Sequence, residues 1–245
     1  MVKHARAEAL PDGLDALRGK LALHEIMVII EQTARWVHPE TFALLPVWYP
    51  EFTRGMHVAA ANWTLPRMRS NGAESRETND RAQTALTKAL GLRSGLRRNW
   101  TCCHIWGVDD PAFTRRNTIV RDPRFYSCVG NMVLLPTPLK AFTDAVPEVK
   151  GMIRLCARNM YGRTCGPDNL VECNLDAYAA DQAYPASWPK IIGDAVPQGT
   201  METTEGIRHD VKRRIDNIRS DLECAGPLYP RDSVRQTLAY WNIMI

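Results

Sequence analysis

The residues whose types could do chemistry cluster in one stretch of this 245-residue chain. An imidazole, His104, sits near the end of Trp100-Thr101-Cys102-Cys103-His104-Ile105-Trp106. A carboxamide heads the run Gly130-Asn131-Met132-Val133-Leu134-Leu135, and Lys140 and Asp144 follow nine and thirteen residues after Asn131. An imidazole with its unperturbed pKa of about 6.5 can take a proton near neutrality. A carboxylate suits Mg²⁺ or Mn²⁺, whereas a thiolate such as that of Cys103 suits Zn²⁺. A guanidinium, Arg121 or Arg124, can hold a phosphate oxygen in a bidentate grip. Each residue also has a plainer reading. His104 can be a packed core side chain, Asn131 a turn residue after Gly130, Asp144 a surface or capping residue, and Cys103 a core thiol.

These side chains meet only if the elements between them allow it. Residues 100–106 are rich in β-formers and read as a strand, and Met132–Leu135 as a second, joined by a polar connection from Gly107 to about Cys128. Thr137-Pro138 is a helix start, since Thr can cap and Pro is pre-organised at the first position. That helix must be short, because Pro147 disfavours helical geometry at Val146. Lys140 and Asp144, four apart, then share one face, which the hairpin can bring over His104. Pro147 opens a longer helix with Val149, Met152, Ile153, Cys156, Ala157 and Met160 on one face, closing near Gly162.

This strand, loop, strand and helix over residues 99–146 resembles the ββα-metal, or HNH, nucleases, in which a hairpin and a helix grip one divalent cation. The stretches Asn99–Trp106 and Asp122-Pro123-Arg124-Phe125-Tyr126 are also similar to HNH-type proteins of bacteria and phages. The resemblance implies a general base at His104, activating water for phosphodiester hydrolysis. It implies a loop-steadying role for Asn131, and metal-ligand positions at Lys140 and Asp144. It departs from the family twice. The residue before the base, commonly an acidic or His ligand, is Cys103, and Lys140 cannot bind a metal while protonated. Either Cys103 ligates a softer metal, or Asp109, Asp110 or Asp122 completes the site and Lys140 turns to a phosphate.

The flanks read as helical. Leu14, Leu17, Leu21, Ile26, Ile29, Ile30, Ala34 and Val37 recur at the helical period over 13–37, with His38-Pro39 as the stop. The proline-broken aromatic segment 45–52 reads as a cap over that core. Residues 64–78 read as an exposed basic loop, 80–91 as a helix capped by Asn79 and ended by Gly91, and 203–223 as a surface helix. The expected fold is therefore α+β, mostly helical with an embedded ββα core. Its divisions are a helical segment 1–98 with the basic loop, the core 99–165, and a loop and helix over 166–245.

Composition narrows the function. With 45% hydrophobic and 24% charged residues, wholesale disorder is excluded. The longest aliphatic run, Ile26–Ile30, is too short to span a membrane, and the first residues lack an apolar stretch, so a soluble, cytoplasmic protein is expected. Residues 1–165 carry 23 basic and 15 acidic side chains, and residues 166–245 carry 8 and 12. A positive body suits a polyanion. The resemblance, not composition, implies the rest: a metal-dependent DNA endonuclease using Mg²⁺ or Mn²⁺, with Zn²⁺ as the softer choice. Duplex DNA would contact Arg67, Arg69, Arg97 and Arg98, beside Arg121 and Arg124, and a homodimer would cut both strands. The competing reading is a non-catalytic nucleic-acid-binding module with a degenerate site. A third is a structural zinc protein built on Cys156, Cys165 and Cys173. Seven cysteines without a CxxC pair otherwise read as reduced, mostly buried thiols.

Overall fold

Gly19 divides what the periodicity reads as one helix over 13–37. Helix α1 (Gly13–Arg18) is capped by the Asp12 side chain and closes on Gly19. Helix α2 (Leu23–Thr33) begins afresh, with Glu25 reaching back to the Ala22 amide at 2.7 Å. The chain leaves helical geometry after Thr33, because β1 (Trp36–Val37) pairs in parallel with β4 (Thr200–Met201). His38-Pro39 starts a helix rather than stopping one. The His38 ring accepts from the Glu40 amide, and Pro39 opens α3 (Pro39–Leu44). The computed structural model describes residues 10, 12–93, 95, 97–107, 118–166 and 174–245. Asp109, Asp110 and Cys173 lie outside them.

The segment 45–52 is irregular and buried through Leu45, Val47, Trp48, Tyr49 and Phe52. Residues 56–77 are exposed at most positions, but they form a small antiparallel ribbon rather than a loop. His57 pairs with Arg76, Ala59 with Pro66, and Met68 with Glu74. Helix α4 (Asp80–Ala89) follows and ends before Gly91, whose φ of 65° suits glycine. Asn79 makes no capping bond, and its buried Oδ1 has no partner among the described residues. Glu77 takes over, accepting from the Arg81 amide at 3.0 Å.

Strand β2 (Trp100–His104) pairs antiparallel with β3 (Met132–Pro136), Trp100 opposite Pro136 and His104 opposite Met132. Between them lies α5 (Pro123–Tyr126), begun by the Asp122 cap and Pro123. A 3-10 turn over Thr137–Leu139 leads into α6 (Lys140–Ala145), which packs on β2. Helix α7 (Pro147–Tyr161) closes at left-handed Gly162. The long helix α8 (Glu205–Cys224) places Arg214 inside the protein, where it donates to the Trp48 carbonyl and to Glu51. Helix α9 (Arg231–Tyr240) packs on α5. The fold is α+β, with two two-stranded sheets among the described residues. No described helix is long and apolar enough to cross a membrane.

Candidate active site

His104 stands where β2 meets the long connection, and the neighbouring backbone determines how its ring is used. Its Nε2 lies 2.9 Å from the Tyr126 carbonyl oxygen. A carbonyl only accepts, so Nε2 carries the hydrogen and Nδ1 is left as the acceptor. The Tyr126 ring stacks on the imidazole at 6.0 Å and 22°. Burial first, and then the charges of Arg54, Lys150 and Lys140, push the His104 pKa down to about 4, so the ring is neutral at pH 7.

The carbonyls of α5 form a seat on which distant side chains converge. The Arg124 carbonyl accepts from Trp241 Nε1 at 2.9 Å, the Phe125 carbonyl from Asn131 Nδ2 at 3.2 Å, and the Tyr126 carbonyl from His104. Asn131 is fully buried and also accepts from the Trp106 amide through Oδ1 at 2.8 Å. Its side chain therefore ties together both ends of the connection between the strands. Gly130 must be glycine here, because a Cβ would stand 2.6 Å from Cys165 Sγ and 2.8 Å from the Phe42 ring. The Tyr126 hydroxyl donates to Glu77 Oε1 at 2.6 Å, both groups being buried.

His104 opens into a cleft of about 870 Å³. Among the described residues its cationic lining is Arg54, Arg69, Arg76, Arg121, Lys140 and Lys150, against two carboxylates, Glu77 and Asp144. Lys150 is buried, its Nζ 3.7 Å from where a Cβ on Gly107 would stand. Lys140 and Asp144 share a face of α6 as their spacing requires, and they are ion-paired with each other. Cys103 lies beneath them beside Thr143, 4% exposed, and burial pushes its thiol up to about 11. Such a thiol is protonated at neutral pH and is a poor ligand.

The remaining arginines divide. Arg69 and Arg121 line the cleft. Arg67 and Arg98 are exposed outside it. Arg97 donates to Gln83 Oε1 at 2.9 Å and borders a separate groove with Trp100. Arg124 is held by both oxygens of Asp122 and faces a second groove, beside α9, which Arg121 also lines. Arg54, Lys150 and Glu77 had no signal in the sequence, since only tertiary packing brings them to His104, whereas Tyr126 stood in the stretch Asp122–Tyr126 that carries the resemblance. Arg76 was visible as part of the basic segment.

The described donors are arranged unlike a metal centre. Among the described residues no group of three His, Cys, Asp or Glu side chains is placed to hold an ion. Asp144 answers Lys140, and Asp122 answers Arg124. Cys156 and Cys165 are buried thiols whose pKa burial raises further. Compared with known proteins, the chain matches no family model, no curated protein and no solved structure.

Proposed function

We propose that this chain is a nuclease that hydrolyses phosphodiester bonds within duplex DNA, with the hairpin β2–β3 and α6 acting as its ββα unit. One observation carries the reading: a neutral imidazole, fixed through Nε2 and accepting at Nδ1, borders a cleft whose described lining holds six cations. A polyanion is the natural occupant of such a wall. Water beside Nδ1 gives up a proton to the ring as its oxygen bonds to phosphorus. The bond from phosphorus to the leaving sugar oxygen breaks, and that oxygen takes a proton from solvent. Arg54, Arg69, Arg121 and Lys140 neutralise the charge that builds on the phosphate. The exposed ribbon 56–77, carrying Arg67 and Arg69, supports a duplex as the partner, with its backbone gripped from one side. The ion that the resemblance implies is given no step, because the described donors do not fit one.

The test is nicking of supercoiled plasmid by wild type and by His104→Ala, in EDTA and with Mg²⁺, Mn²⁺ or Zn²⁺ in turn. A general base contributes about 10²–10⁴-fold, so the variant should lose activity by that factor while keeping its affinity for DNA. Wild-type turnover by His104→Ala would refute the assignment. The Lys140–Asp144 pair and the buried Cys103 thiol favour a second reading, a binding module that has lost catalysis. Tight DNA binding with no nicking under any of these conditions selects it.

A further inference from the structure

We infer that the cleavage needs no divalent cation, and that Lys140, with Arg54 and Lys150, supplies the positive charge an ion would bring. The inference rests on the nuclease reading and concerns the same site. Lys140 stands at a position where the resemblance implies a metal ligand, and there it is ion-paired with Asp144, the other such position. An ammonium in that place repels a divalent ion and attracts a phosphate. Arg54, Lys140 and Lys150 line the cleft that His104 borders, and each lowers the ring's pKa. Arg69, Arg76 and Arg121 extend the positive lining along the cleft. Of the two carboxylates among the described lining residues, Asp144 is paired with Lys140, and Glu77 accepts from the Tyr126 hydroxyl and the Arg81 amide.

The Lys140–Asp144 pair is half exposed at both ends, 46% and 52%. Such a pair is weak, so an incoming phosphodiester can draw the ammonium away from the carboxylate at little cost. Lys140 then lies against the phosphate, where charge accumulates as water adds. Its part is electrostatic: no bond to it forms or breaks, and the proton released by water still goes to His104.

The experiment is plasmid nicking by the full chain, stripped over chelating resin and assayed in EDTA, beside parallel reactions with Mg²⁺, Mn²⁺ and Zn²⁺. The rate in EDTA should lie within about threefold of the best metal-supplemented rate, and electron paramagnetic resonance should find no stoichiometric bound Mn²⁺. Lys140→Met should lower kcat by roughly 10²-fold or more, the scale seen when one charge-stabilising donor is removed. Lys140→Arg should recover most of that loss, with melting temperatures checking that both variants fold. Nicking only with a divalent ion, or one tightly held Mn²⁺, overturns the inference and leaves the nuclease standing. An unaffected Lys140→Met also overturns it. Absence of nicking under every condition defeats the nuclease reading itself.

Discussion

Replacing Tyr126 with Phe removes one oxygen and tests how the imidazole is braced. The hydroxyl donates to Glu77 Oε1 at 2.6 Å, and neither residue is more than 4% exposed. A hydrogen bond to a charged group contributes about 1.5–3 kcal/mol, and a buried acceptor left short of a donor sits toward the upper end. Glu77 would keep the Arg81 amide, 3.0 Å away, which tempers the loss. The expected cost is therefore about 2 kcal/mol, or roughly 30-fold in the folding constant, since ~1.4 kcal/mol is tenfold. The assay is urea unfolding, read as a lower midpoint at unchanged slope. The Tyr126 carbonyl and ring remain, so His104 keeps its partner and its stack, and DNA affinity should hold. A change below about 0.5 kcal/mol, typical of an unremarkable surface substitution, would refute the brace.

Acid should weaken the fold through His104. Its folded pKa is about 4, below the usual 6.5, so the unfolded chain takes the proton first. The stability contributed by the neutral ring is complete above 6.5, falls through the window below it and is lost as pH passes 4; His104→Gln should flatten that part of the urea-midpoint profile. Arg69→Ala and Arg76→Ala should each weaken DNA binding across sequences and reduce the salt slope by about 1, whereas Arg97→Ala, held by Gln83, should leave the slope unchanged. Arg214→Ala strands the buried Glu51 carboxylate and should cost about 3–5 kcal/mol in a denaturant titration; a loss under 1 kcal/mol would contradict the pairing.

What the sequence disclosed depended on how local the cause was. The hairpin strands and helices α4, α6, α7 and α8 follow from β-formers, prolines, glycines and apolar stripes in their own segments, and they stand close to where those signals put them. The single helix over 13–37 failed at both ends of α2: Gly19 closes α1 before it, a local stop that the periodicity overrode, and beyond it Trp36 and Val37 answer a strand 164 residues away, Trp36 opposite Thr200, which no local pattern encodes. Helix α9 carries only a few apolar residues, Val234 and Leu238 chief among them, and its role rests on packing against α5. At the site, spacing brought out His104, Asn131, Lys140 and Asp144 because one supersecondary unit holds them. Glu77 and Arg54 come from the segment before it, and Lys150 from the helix after it, so their convergence is a property of the folded chain.

The seat formed by the α5 carbonyls has a consequence during synthesis. Trp241 and the peptide it holds are 117 residues apart in the chain. At ~5–20 residues per second, a ribosome needs roughly 6–23 s to travel that far after making α5. Through nearly all of that interval His104 and Asn131 have been made, but the backbone on which they rest lacks its outermost clamp, and α9 has not yet covered α5. The His104 ring of a nascent chain is therefore not yet held by the complete seat. The vectorial order of translation delays completion of the seat until Trp241 has been made, long after the hairpin it braces.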